Sequence, residues 1–280
     1  MRIHHYIKNL LVFLPLVFSG YLSDTQLLGN TVIGFAAFSL MASAVYIIND
    51  ICDLENDRRH STKRLRPLPS GTVSLRQAQV LVAVLIMLSL FFSQLVWERQ
   101  WSALGLLAGY LFINLGYSLG LKAIPLLDVT VLVLGYLFRV LYGSAITGIE
   151  ISHWLYLTVL SLSFYLAFGK RRNELAKETG ESRLVLRHYN FSFLDKNMYL
   201  CLALTIVFYA LWSIDPLTAA RLQGAKVFWT VPLVMLIAMR YSLLIEGDSD
   251  GDPVEVLYHD KALLIMLGGY ALITLGLIYL

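Results

Sequence analysis

The chain has 280 residues, 58% of them hydrophobic and only 15% charged, with a mean hydropathy of +0.67. Soluble domains carry roughly a quarter charged residues, so the composition excludes a soluble enzyme and predicts an all-α, polytopic integral membrane protein. No low-complexity tract or nucleic-acid module is visible, and Cys52 and Cys201 form neither a close-spaced zinc motif nor a disulfide framework. In chain order, apolar runs lie near 9–22, 25–48, 74–97, 100–119, 124–148, 153–169, 198–214, 225–242 and 261–280, each close to the ~20 residues a bilayer core requires. These predict nine transmembrane helices in one domain over 1–280, with polar loops near 51–73 and 170–197. The first run follows Arg2 and Lys8 and ends in Ser19-Gly20, as a signal peptide would. A retained helix is favoured because the chain restarts at Ser23 and Asp24, with Gln26 at capping-box spacing from Ser23.

The positive-inside rule sets the orientation. Of the 22 Lys and Arg residues, only Arg99, Arg221 and Lys226 fall on the far side and Arg139 inside a span when the N-terminus is placed inside. The expectation is an N-terminus and polar motifs in the cytoplasm, with Leu280 outside. The net charge of +3 conceals a locally basic cytoplasmic face, part of which anionic lipid headgroups could explain.

Directly after the second run comes Asn49-Asp50-Ile51-Cys52-Asp53-Leu54-Glu55-Asn56-Asp57, followed by Arg58, Arg59, Lys63, Arg64 and Arg66. On a helix, Asp50, Asp53 and Asp57 stand at i, i+3 and i+7 and share a face, with Asn49 beside them. Such a stripe repels itself unless a cation neutralises it. Hard Mg²⁺ does so with one or two carboxylates plus substrate phosphates, so the pattern points to a Mg²⁺-diphosphate site with the basic run as further phosphate contacts. The plainer reading is a solvated loop whose charges only fix topology; carboxylates kept in helical register argue against it.

Pro67, Pro69 and Gly71 then break the chain, and Ser74 with Gln77 forms a capping box for the third span. Gly105, Gly109, Gly116 and Gly120 read as close-packing positions on the fourth. Tyr117 and Lys122 are expected on the side of Asp50, Lys122 as either a topology charge or a phosphate contact. Arg139 is an intramembrane cation eleven residues after Asp128 and on the same face. The rise of ~16 Å between them forbids a direct pair. Arg139 is therefore expected to meet a substrate anion or a carboxylate of another helix.

Beyond the sixth span, Lys170, Arg171 and Arg172 precede Glu174, and Lys170, Glu174, Lys177 and Glu181 share a face. This is either a salt-bridged helix extension or a second phosphate-binding lobe. Asp252, Pro253 and Glu255 read as helix capping, leaving Asp260 available to the site.

Asn49-Asp50-x-x-Asp53-x-x-x-Asp57, the nine spans and the Tyr117 to Lys122 segment resemble the UbiA superfamily of intramembrane prenyltransferases, over essentially the whole chain. That resemblance implies nine helices around a central cavity and two polar motifs holding a Mg²⁺-bound diphosphate. The chain departs from the usual pattern where a second Asp-rich pair is expected, having Lys170, Arg171 and Glu174 instead. With Lys8-Asn9, Lys63-Arg64-Leu65-Arg66-Pro67, Tyr117-Ser118-Leu119-Gly120-Leu121-Lys122 and Leu137-Phe138-Arg139, it is similar to the decaprenyl-phosphate phosphoribosyltransferase branch, although Ile3 and Tyr6 stand where Pro and Trp are expected.

The branch implies transfer of 5-phosphoribose from phosphoribosyl diphosphate to a polyprenyl phosphate, with Mg²⁺ as cofactor, the membrane as medium and no nucleic-acid partner; a homo-oligomer is left open. Extra cations in place of a second acid pair suit a donor that carries a separate 5-phosphate. The alternative is a UbiA-type prenyltransferase moving an isoprenyl group from its diphosphate to a small acceptor. A transporter is the third reading, ill suited to an acid cluster at a membrane edge.

Overall fold

The computed structural model describes residues 3–59, 62–96, 100–177, 184–247 and 253–280, and all regular structure among them is helical. In chain order the α-helices are α1 (Leu14–Val17), α2 (Thr25–Cys52), α3 (Leu54–Arg59), α4 (Leu75–Gln94), α5 (Gln100–Leu119), α6 (Leu127–Thr147), α7 (His153–Ala176), α8 (Phe191–Ile214), α9 (Pro216–Arg221), α10 (Val231–Glu246), α11 (Pro253–His259) and α12 (Lys261–Tyr279). A 3₁₀ run, Ile3–Phe13, leads into α1.

Helices stand at all nine expected positions, but among the described residues seven are long and apolar enough to span a bilayer. The first position is too short, its apolar stretch being Tyr6–Val17. The sixth, α7, is long enough, yet His153, Trp154, Tyr156, Thr158, Ser161, Ser163 and Tyr165 lower its hydropathy. Its hydroxyls are satisfied locally: Thr158, Ser161 and Ser163 donate to the carbonyls of Trp154, Leu157 and Val159 at 2.8, 2.8 and 2.6 Å. Back-bonding of this kind lets polar side chains sit where no water is available.

The capping box at Ser74 and Gln77 is present as expected. The one proposed at Ser23 is not, because α2 begins at Thr25 and Asp24 is the residue before it. Asp252, Glu178 and Glu181, and the topology cations Arg2, Arg99 and Arg183, lie outside the described residues.

The chain divides into two compact units. The first comprises residues 1–13 and 26–148. Its core forms where α2, α5 and α6 meet, around Phe38, Met41, Leu107, Tyr110, Tyr142 and Ile146. A Cβ on Gly34 would collide with Ile146 Cδ1, so α2 and α6 approach as closely as a glycine permits. Gly109 likewise meets the Phe138 ring, whereas Gly105 and Gly120 have open space around them and are not packing positions. The 3₁₀ run lies on α2, where Tyr6 Oη and Ser43 Oγ are 2.7 Å apart and Asn9 Nδ2 donates to Ser39 Oγ at 3.0 Å.

The second unit comprises residues 14–25 and 149–280. Leu155, Tyr209, Trp212, Leu222, Val227 and Val231 form its core, with Phe18 edge-on to Trp212 at 5.2 Å. One end of this unit gathers the polar termini of α7, α8, α10 and α12. There Arg172 pairs with Asp195, Tyr199 with Glu246 and Arg240 with Asp260.

Candidate active site

The acidic motif keeps its helical register although α2 stops at Cys52 and α3 starts at Leu54. Asp53 N donates to Asn49 O at 2.9 Å and Asp57 N to Asp53 O at 2.8 Å, carrying the ladder through the junction. Asp50, Asp53 and Asp57 therefore lie along one stripe, with Asp57 buried. The loop that follows folds back on it. Arg66 donates to Asp57 Oδ2 at 2.7 Å and lies 3.6 Å from Asp50 Oδ1. From the 3₁₀ turn Leu121–Ala123 that follows α5, Lys122 pairs with Asp53 Oδ1. Asn49 donates to the other Asp53 oxygen at 3.2 Å and accepts from Ser118 Oγ at 3.2 Å.

Lys122 thus stands against the middle carboxylate of the stripe. Lys63 is half-buried in the 3₁₀ turn Lys63–Leu65, Arg64 is exposed, and Tyr117 is half-buried one residue before Ser118. Among the described residues no three Asp, Glu, His or Cys side chains converge as a ready metal cage. Each carboxylate of the stripe is instead turned towards a cation. The donor set is nonetheless all oxygen and anionic, with Arg66 and Lys122 against it, and such a set fits Mg²⁺ arriving with a diphosphate.

Arg139 is buried in the interior of the same unit and meets no carboxylate among the described residues, which corrects that half of the expectation. Its Nε donates to Asn9 Oδ1 at 2.8 Å, one terminal nitrogen to Gly135 O and the other to Tyr110 Oη at 3.5 Å. The guanidinium also lies over the rings of Phe38, Tyr110 and Tyr136, at 5.2, 5.4 and 6.0 Å. Phe38 precedes Asp50 by twelve residues of one helix, about 18 Å of rise. Arg139 and the acidic stripe are therefore separate features. Lys8 lies between Tyr6 and Asn9 on the strap that those two residues pin to α2, its side chain half-buried.

The basic cluster of the second unit is a set of ion pairs at the end of α7. Arg171 is fully buried and donates to Glu174 at 2.6 Å. Arg172 donates to Asp195 at 2.6 Å, joining α7 to α8, and Lys170 is half-buried. Asp260 is not available to a site: it caps α12 through Leu263 N at 2.6 Å and pairs with Arg240. The Arg240 hydrogen bond, then the Leu263 N–H, hold the Asp260 carboxyl below the usual carboxylate range.

The sequence profile of the UbiA prenyltransferase family matches residues 11–259. This chain belongs to that family. It is 33% identical over 279 residues to the decaprenyl-phosphate phosphoribosyltransferase of Mycolicibacterium smegmatis, covering 95% of this chain and 87% of that protein. The Mycobacterium tuberculosis H37Rv protein of the same name is 30% identical, over 95% of this chain and 88% of its own. Among solved structures, a UbiA homolog from Archaeoglobus fulgidus bound to DMAPP and Mg²⁺ superposes with a TM-score of 0.72 at 19% identity, covering 99% of this chain and 96% of that one, a likeness of fold.

Within this UbiA-family fold, the sequence alone does not point to the contacts that Ser118 and Asn9 make. Ser118 stands four residues before Lys122, so a shared face was available as a signal. Asn9 carries no such signal, because its partner Arg139 is 130 residues away.

Proposed function

We propose that this UbiA-family protein transfers 5-phosphoribose from phosphoribosyl diphosphate to a polyprenyl phosphate of the decaprenyl type, releasing diphosphate, with Mg²⁺ as cofactor. The observation that carries the reading is the carboxylate stripe Asp50, Asp53, Asp57 interleaved with Arg66 and Lys122, in a chain whose full-length relatives bear that enzyme's name. When bound, Mg²⁺ supplies charge neutralisation for the leaving diphosphate. Asp50, Asp53 and Asp57 hold the cation. Asn49, itself held by Ser118, orients Asp53. Arg66, Lys122, Lys63 and Arg64 bind phosphate oxygens, and Arg66 can do so through two parallel N–H donors. A lipid phosphate oxygen forms the new bond to the anomeric carbon as the bond from that carbon to the diphosphate breaks. The attacking oxygen is already anionic, so no strong general base is needed.

Purified protein incubated with Mg²⁺, polyprenyl phosphate and phosphoribosyl diphosphate labelled in the ribose should carry label into the organic phase. Label that stays aqueous, with prenyl transfer from an isoprenyl diphosphate to a small acceptor instead, would establish the alternative reading.

For Lys170, Arg171 and Glu174 we propose a split of roles. Lys170→Ala should raise the Michaelis constant for a phosphate-bearing substrate several-fold with kcat little changed. Arg171→Ala should instead lower stability by about 2 kcal/mol, since it leaves Glu174 without its buried charged donor. A stable Arg171→Ala protein with weakened substrate binding would return Arg171 to the site.

The reading puts the acidic motif in the cytoplasm. Cys52 is exposed beside Asp53 and serves as a reporter. In a Cys201→Ala background, a membrane-impermeant maleimide should label inverted vesicles and spare right-side-out ones; the opposite pattern would reverse the orientation.

A further inference from the structure

We infer that Arg66 and Lys122 make metal binding at the acidic stripe conditional on a diphosphate, so that the species the site accepts is the metal–diphosphate pair and not the free metal ion. This deepens the proposed function, resting on it only for the presence of a divalent cation and a diphosphate ester. Any donor of that class satisfies it.

The two cations bracket the whole stripe. Arg66 spans its ends, 2.7 Å from Asp57 and 3.6 Å from Asp50, and Lys122 sits on the middle carboxylate, Asp53. The contacts are partly sheltered: the side chains of Arg66 and Asp57 are 33% and 7% exposed, against 50% and 73% for the surface pair Arg58–Glu55. A hard divalent ion seeks the same carboxylate oxygens that these N–H donors occupy. Its entry requires the guanidinium and the ammonium to leave, or to remain beside a second positive charge at close range.

A diphosphate resolves that conflict. Its oxygens accept from the displaced Arg66 in the bidentate manner that suits a guanidinium, and from Lys122 as a point charge. The metal ion then takes the vacated carboxylate oxygens together with phosphate oxygens. Metal and anion each remove the obstacle to the other, and such coupling is reciprocal by thermodynamic necessity.

Mn²⁺, which stands in for Mg²⁺ and is read by electron paramagnetic resonance, tests this on the purified full chain. Without any anion, Arg66→Gln and Lys122→Gln should each bind Mn²⁺ roughly tenfold more tightly than the wild type. At saturating Mn²⁺ the same variants should retain labelled inorganic pyrophosphate more weakly, by a similar factor. Arg76→Gln, at an exposed cation on α4, should alter neither quantity, and Asp57→Asn should lose both.

The opposite signs are the signature, because a cation that merely supports the loop would lower both affinities when removed. Variants that bind Mn²⁺ alone no more tightly than the wild type would overturn the inference, as would parallel losses in the two measurements. The choice of donor is decided separately by transfer of label into lipid. Opposite signs without that transfer would leave the inference standing and assign the site to another diphosphate ester.

Discussion

Asp53→Ala, Asp50→Ala and Asp57→Ala are each expected to lower turnover by roughly 10³-fold or more, the equivalent of about 4 kcal/mol of lost transition-state stabilisation. The stripe lies at the end of α2 and the start of α3, outside the aromatic and aliphatic core of its unit, so the fold should persist. Asp57 is the exception in degree. It is buried against Arg66, and its removal should also cost about 1–2 kcal/mol of stability through the lost charged hydrogen bond. Steady-state rates paired with melting temperatures on the three variants check the assignment. Near-normal turnover in all of them, with divalent metal chelated, would sink it.

Arg139→Met is the second large effect, and here the structure reverses the direction that the sequence suggests. A lone arginine in an apolar run reads as a substrate contact, whose loss would spare the fold. In place, the guanidinium holds Asn9 and Tyr110 and rests on three aromatic faces. Its removal leaves the buried Asn9 oxygen without its donor and the strap without its anchor on α6, at about 1–3 kcal/mol for each orphaned group. Relief of an intramembrane charge returns about 3 kcal/mol on insertion scales. With the cation–π contacts also gone, the losses exceed the gain by about 2 kcal/mol. The melting temperature should fall for Arg139→Met and, less steeply, for Arg139→Lys, which keeps the charge without the planar fork. Donor affinity of the folded fraction should stay within about twofold, given the ~18 Å of helix between the two features. Unchanged stability with donor binding lost would place Arg139 in the substrate site.

The difference between these two predictions shows what the sequence makes legible. Helical register is local, so the alignment of Asp50, Asp53 and Asp57 follows from spacing alone, and the Ser74 cap is read off four consecutive residues. Burial of Arg139 is equally plain from its apolar neighbours. Its partner is not, because Asn9 lies in a 3₁₀ run whose contact depends on how that run crosses α2 and α6. Arg66 was one of several equivalent cations in a basic run until the loop closed over Asp57. Asp260, which the sequence leaves available to a site, is committed by Arg240 twenty residues earlier. The sixth helix is legible as the run 153–169, although hydroxyls that bond back to their own carbonyls count as polar on any hydropathy scale and keep the mean hydropathy of α7 low.

The length of α2 has a bearing on how the lipid substrate is met. At 28 residues it extends about 42 Å, beyond the ~30 Å of hydrocarbon in a bilayer. With the acidic motif at the cytoplasmic edge, as proposed, the overhang carries Asp50 and its neighbours out of the acyl layer and into the layer where phospholipid phosphates reside. On the proposed reading, a polyprenyl phosphate then reacts without lifting its head from that layer and without drawing its tail out of the oil. It arrives by sliding in two dimensions, so the quantity that saturates the protein is the number of lipid phosphates per unit of bilayer area. Diluting them with inert phospholipid at fixed bulk concentration will slow the reaction.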